Sequence, residues 1–207
     1  MPPPTWHLVD AEPLAREHKY TFYRPSPETL AKVRPGENGK LIFRFASDEP
    51  DAPEAERMWV IVDTVEPGGR FIGRLDNDPR WIKDLKAGDS LTFDERHIIN
   101  TEHSEPDNLV DRYAKRCFVT QRVLQDGQRV GYLYREEPDD DEDSGWRIMA
   151  NDESQDYMNT KGNVQYVSVG RVLSCDDTFL SLLESEVGVA FVLDRESNAY
   201  VAAKGDA

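Results

Sequence analysis

The densest chemistry in the chain lies at Glu136 to Asp143, EEPDDDED, where seven carboxylates surround Pro138. Crowded acids could serve acid–base work, cation binding or recognition of a positive surface. Acid–base work needs a carboxyl whose surroundings shift its pKa. Calcium loops alternate oxygen ligands with spacers and a central glycine, so contiguous acids cannot all turn to one ion. A run of like charges repels itself, which predicts a solvated loop or spur. Its field reaches about 8 Å at physiological salt and speeds encounter with a basic surface. Tight binding needs desolvated anchors as well, typically Trp, Tyr or Arg. The neighbours supply them: Tyr132, Tyr134 and Arg135 before the acids, Trp146 and Arg147 after, Tyr157 beyond. The plainer reading is a solubilising loop flanked by core aromatics. Strand alternation places Tyr132 and Tyr134 on one face, which that reading assigns to the core.

Other chemistry is sparse. The sequence holds no GxGxxG, phosphate loop, GxSxG or HExxH. His97 and His103 lie near Glu102 and Glu105 in a polar stretch, where solvated side chains are the expectation. A metal site needs three or four converging ligands. Cys117 and Cys175 are far apart and have no CxxC spacing, so buried reduced thiols are expected, with a disulfide left open. The Asp152-Glu153 pair is the one acidic pair singled out for a hydrolase reading. No catalytic residue, metal ligand or cofactor is expected.

Composition narrows the classes. The chain has 207 residues, 40 acidic and 25 basic, for a net charge of -15. Residues 116–207 hold 18 acids and 9 bases, a net of -9, and residues 1–115 hold 22 and 16, a net of -6. This charge disfavours nucleic acid, which needs a basic footprint. A mean hydropathy of -0.68 and no long apolar run disfavour a membrane span. The opening MPPPTWHLVDAEP has neither the basic nor the apolar segment of a secretory signal, and the expected reduced thiols lead to an expected cytoplasmic location.

The elements that must position these groups read as α+β: two small domains, each a mostly antiparallel sheet with one or two short helices. Residues 1–25 read as an extended arm. Residues 26–110 form the first domain: a Ser26-capped helix at Pro27, strands over 40–45, 58–65, 70–75 and 90–93, and a helical turn near 79–85. A polar connector over 100–112 leads to the second domain, 116–207. There Cys117–Leu124 and Arg129–Arg135 read as strands joined by an Asp126-Gly127 hairpin. Strands follow over 145–150, 164–169, 171–173, 187–193 and 200–203. Helices are expected after Asp152 and after Asp176, the latter with Phe179, Leu182 and Leu183 on its apolar face.

The stretch VGYLYREEPDDDEDSGWRIMANDESQDYM, 130–158, resembles a bacterial family of immunity proteins from polymorphic toxin systems, the thirty-third in the immunity series and formerly a domain of unknown function. Gly131-Tyr132, Tyr134-Arg135-Glu136, Asp143-Ser144-Gly145-Trp146, Asp152-Glu153 and Tyr157-Met158 carry the likeness, followed by Leu182-Leu183, Gly188 and Ala190-Phe191. Asn151 stands where glycine is expected, and Val192-Leu193-Asp194 replaces a more charged tail. Trp59-Val60, Phe71, Gly73, Leu75, Asn77 and Leu85-Lys86-Ala87-Gly88-Asp89 resemble a second bacterial domain of unknown function, which implies no activity.

The immunity resemblance implies a non-catalytic protein that neutralises a cognate toxin. Together with the residues, it leads to an expected toxin contact at Arg135, Glu136, Glu137, Asp139, Asp140, Asp141, Glu142, Asp143, Trp146, Asp152, Glu153 and Tyr157, facing a basic surface. The alternatives are an adaptor for another ligand and, less favoured, a hydrolase using paired carboxylates. Oligomeric state is left open.

Overall fold

The computed structural model describes residues 4–105 and 107–203. Residues 1–3 of the expected arm, Pro106 of the connector and 204–207 of the expected second domain lie outside the described residues. The chain divides into two compact units, Met1–Asn108 and Leu109–Ala207. Each is built on a six-stranded sheet with short helices, and all strand pairs but one are antiparallel among the described residues.

The first unit contains β1 (Trp6–Leu8), α1 (Ala11–Glu17), α2 (Pro27–Leu30), β2 (Asn38–Phe45), β3 (Ala55–Glu66), β4 (Arg70–Leu75), β5 (Ser90–Asp94) and β6 (Ile98–Thr101). β2 pairs β3 along one edge and shares its other edge between β1 and β6. Alternating residues of these strands, Leu41, Phe43, Met58, Val60, Phe71 and Phe93 among them, meet in one core. Ile42 points the other way and packs with Ile99 and Ala11 of α1. The expected arm therefore supplies a paired strand and a covering helix. Ser26 caps α2, its hydroxyl accepting from the Thr29 amide. No helix forms at 79–85. There Glu56 accepts from the Arg80 and Trp81 amides, and Ile82 and Leu85 enter the core from turns.

The second unit contains α3 (Leu109–Arg112), β7 (Arg116–Thr120), α4 (Gln121–Leu124), β8 (Tyr132–Arg135), β9 (Asp143–Met149), α5 (Gln155–Asn159), β10 (Val164–Ser168), α6 (Val169–Leu173), β11 (Ala190–Asp194) and β12 (Ala199–Ala202). Spatial order is β10-β7-β9-β8-β11-β12, with β7 and β9 parallel. The Asp126-Gly127 hairpin does not form. Residues 121–124 wind into α4, burying Val123, and β9 lies between β7 and β8. Residues 171–173 are helical, because the Ser168 hydroxyl accepts from the Arg171 amide and Val169, Val172 and Leu173 fall at helical spacing on a buried face. The valines alone read as strand. Ser154, not Asp152, caps α5. After Asp176 only a 3₁₀ turn forms, at Leu180–Leu182, with Phe179 and Leu183 buried.

One face of this sheet is covered and the other is not. α6 packs on β7 and β10, and α4 on β7. Cys117, Val119, Leu133, Trp146 and Ile148, which point to that side, are all buried. Trp146 is 2 % exposed. Truncating it should open a large cavity: Trp146→Ala is expected to destabilise the second unit by about 3–5 kcal/mol, measured by urea unfolding.

Candidate functional site

β9 begins with Asp143 and continues Ser144-Gly145-Trp146-Arg147. Gly145 has φ +80°, and a Cβ there would lie 2.3 Å from the Glu136 carbonyl oxygen. Only glycine meets both conditions. Strand alternation puts Asp143 and Arg147 on one face of the sheet and Trp146 on the other, and the irregularity, by which four residues of β9 oppose two of β7, brings Asp143 and Arg147 together. Arg147 donates from Nη1 and Nη2 to the two carboxylate oxygens of Asp143 at 3.0 and 2.9 Å. Its Nε donates to Glu136 at 2.6 Å, and Nη2 lies 3.6 Å from Asp139. The guanidinium also lies 4.8 Å from the centroid of the Phe118 ring. Asp143 is 1 % exposed and takes the amides of Asp139 and Gly145 as well. The Arg147 hydrogen bonds, aided by these amides, hold the Asp143 carboxyl well below the usual carboxylate range despite burial. Such two-pronged contacts are strong.

The expected contact residues divide. Glu137, Asp140, Asp141 and Glu142 are exposed on the loop between β8 and β9. Glu136 and Asp139 are exposed but reach back to Arg147. Asp143 and Trp146 are interior groups, so neither belongs to a contact surface as expected. Arg135 is structural: it donates to the carbonyls of Ser144 and Ser185 and lies over the Trp146 ring. Asp152 binds Arg122 through both oxygens, and Arg122 also pairs with Asp126. Glu153 accepts from the Thr120 hydroxyl and from the amides of Ala150 and Asp152. These two acids clasp separate side-chain partners. Tyr157 is half-buried in α5. Asn151 adopts φ +67°, the conformation that suits glycine best and asparagine next.

The uncovered face is read directly from the strand register. Tyr166, Phe118, Arg147, Tyr134 and Ala190 form one line across β10, β7, β9, β8 and β11. Met149, Tyr132, Val192 and Val201 form the next, across β9, β8, β11 and β12. Phe118 is 36 % exposed and Val201 44 %, and the other apolar members are half-buried by each other. The Phe118 and Tyr166 rings lie 4.8 Å apart, and those of Tyr132 and Tyr134 5.8 Å. The expected shared face of the two tyrosines is real, and it is this open one. Burial and then the charges of Asp140, Asp143 and Glu142 push the Tyr166 phenol up. Beside β7 and β10, a depression of about 610 Å³ is lined by Lys115, Arg116 and Arg171 together with Asp141 and Glu142.

The sequence reading missed Arg147 as the organising charge, and missed Phe118 and Tyr166 altogether. An Asp–Arg pair four apart in a regular strand shares a face but lies about 13 Å apart, so the pairing has no signal until Gly145 bends the strand. Phe118 and Tyr166 are 48 positions apart and meet only through the β10–β7 pairing.

Among the described residues no group of three or more His, Cys, Asp or Glu side chains could hold a metal. His97 accepts from the Asp94 amide, His103 meets Glu37 at 2.9 Å, Glu102 takes Asn38, and Glu105 takes Tyr23 and Ser26. These groups diverge. Both cysteines are free: Cys117 is buried, with its thiol pushed up to about 12 by desolvation, whereas Cys175 is exposed rather than buried as expected. Among the described residues no helix is long and apolar enough to cross a membrane.

Residues 117–203 match the family model of the Immunity protein Imm33 domain. The match runs from Cys117 in β7 through β12 and so includes the second sheet except Arg116. It supports an immunity-protein role in general terms. No curated protein and no solved structure matches the chain.

Removing Arg147 should reverse the pH response of the second unit. In the native protein the lowered Asp143 pKa adds stability above the unfolded carboxylate value of about 4, and that stability is lost as pH falls below it. In Arg147→Met the buried carboxylate lacks its cation, so its pKa rises above the unfolded value. The variant should lose about 3 kcal/mol at neutral pH and regain stability as pH falls toward 4. Urea unfolding at pH 4, 5.5 and 7 measures both slopes.

Proposed function

We propose that the second unit binds and neutralises a cognate bacterial toxin in the cytoplasm, through an acidic surface and without catalysis. The observation that carries this is the division of labour in the acidic run. Glu136, Asp139 and Asp143 engage Arg147 and hold the loop to the sheet. Glu137, Asp140, Asp141 and Glu142 are exposed, Asp140 with one oxygen accepting from the Glu142 and Asp143 amides, and among the described residues none of the four has a cation within ion-pair distance. A loop pinned at its ends and charged at its tip presents a fixed negative field rather than a drifting one. Fixed charge orients an approaching basic surface at little entropic cost. The overall charge of -15 supports the same sign of partner.

The toxin surface that fits is basic, of the kind that binds a phosphate backbone or an acidic substrate, and the carboxylates would occupy it. Inhibition by occlusion requires no bond chemistry. The commitment of Asp152 and Glu153 to Arg122, Thr120 and backbone amides supports that reading over hydrolysis by paired carboxylates. The Imm33 match over 117–203 supports the toxin as the class of partner.

Neutralising the loop tip tests the proposal. Asp140→Asn, Asp141→Asn and Glu142→Gln together should slow association with the toxin roughly tenfold at low salt and flatten its salt dependence. The thermal melt should stay unchanged. Equal association rates for both proteins from 20 to 500 mM salt would defeat the steering role.

A further inference from the structure

We infer that the uncovered face of the second sheet is the anchoring surface for a protein partner that presents an apolar patch bordered by lysine and arginine. The inference rests on the toxin-binding reading above and names the part of the surface that holds the toxin once the acidic loop has oriented it.

An antiparallel sheet can leave one face to water, and that face is then ordinarily polar. Here it is not. Phe118, Tyr166, Tyr132, Tyr134, Val192 and Val201 dominate it, and its central charge is cancelled. Arg147 is 6 % exposed, lies against the Phe118 ring and is paired with carboxylates. It therefore offers a partner neither a free positive charge nor much contact area, and the contact falls to the side chains around it. Six strands about 4.8 Å apart and about five residues long give a face on the order of 400 Å². That is the whole face, of which the exposed apolar side chains are a part, and the largest apolar patch on a single chain is of this order and often functional. A standard interface takes about 800 Å² from each partner, so the face supplies about half and the adjoining loop must supply much of the rest.

Charge selects the occupant. Glu136 and Asp139 reach onto Arg147 in the middle of the face; at its β10 side the carboxylates of Asp140 and Glu142 act on the Tyr166 phenol, against Arg116, whose guanidinium lies 4.8 Å from the centroid of that ring. The margin on the loop side, with Glu137, Asp140, Asp141 and Glu142 exposed, is therefore net negative, and Arg116 is a local exception to it. A partner with an apolar centre must carry basic residues where it meets that margin. A second copy of this chain would bring a charge of -15 against another of -15, so self-association across this face is opposed. Tyrosines suit such a surface, since each offers a large rigid contact area with a polar tip.

The test places a photoreactive benzoylphenylalanine at Phe118, at Tyr134 and, separately, at Asp141 in the full chain, expressed in its native host. Adducts from 118, 134 and 141 to one and the same protein are expected, with lysine- or arginine-bearing peptides at the cross-links. That protein, purified, is then the binding probe. Phe118→Ser and Val201→Ser should each weaken affinity, together at least tenfold, through faster dissociation and with the salt dependence retained. The loop variant should instead slow association. Val201 is exposed, so Val201→Ser decides the matter if Phe118→Ser fails to fold. Adducts from 141 alone, or affinity within twofold for the face variants, would overturn this inference and leave the toxin reading standing. Adducts joining two copies of the chain would overturn the assigned occupant. Absence of adducts from all three positions would overturn both readings.

Discussion

The second unit depends on one buried guanidinium. Arg147 lies in the middle of a sheet face, with Asp143 interior beside it and Glu136 and Asp139 reaching in from the loop. A buried pair of this kind adds little net stability over an apolar replacement, because desolvating both charges offsets their attraction. Its consequence is geometric. An arginine in that place has five donors in a fixed fork, and only a chain that returns over the face can satisfy them. The acidic run is therefore folded back at its two ends. Self-repulsion, which would otherwise spread the loop, is relieved at the three positions nearest the cation and left acting at the other four.

Strand alternation then separates structure from recognition. Arg135 and Trp146 are cross-strand partners on the covered side, where the tryptophan fills the core and the arginine ties β8 to the carbonyl of Ser185. Their chain neighbours Tyr134 and Arg147 are partners on the open side. A single sequence motif thus feeds two surfaces with opposite demands. Gly145 and Gly131 belong to the same arrangement. A Cβ at Gly131 would lie 2.1 Å from the Ala150 carbonyl oxygen, so the backbone of β9 closes directly on the chain leading into β8. These residues lie within the 117–203 stretch that matches the Imm33 domain.

Much of the architecture was legible. Alternating apolar residues located β2 to β5, and the Ser26-Pro27 signal located α2, because caps and period-two patterns act locally. The errors have two causes. Asp126-Gly127 reads as a hairpin, yet β9 enters between the flanking strands. Residues 171–173 read as strand, yet Ser168 caps a helix there. Asp176 reads as a cap for a long helix, yet its carboxylate takes the amides of Thr178 and Val130 instead. At 126–127 and at Asp176 a distant segment, β9 or the Val130 amide, competes with the local preference, and at 171–173 a local cap at Ser168 outweighs the strand preference of the valines. The site was partly legible: its acidic loop was visible as charge, and Tyr132 and Tyr134 as one face, but which face was open was not.

Composition and pattern by themselves determined an acidic α+β chain with two sheets, a highly charged loop and no nucleotide or metal signature. Those properties follow from residue type and from spacing within a few positions. Tertiary structure alone decided that Trp146 is interior, that Arg147 gathers the carboxylates and that Phe118 and Tyr166 join the tyrosines on an open face. These relations join residues tens of positions apart, and strand order sets them. Strand order is fixed by which segments bury the most apolar surface together, a property of the whole unit that no single window of sequence contains.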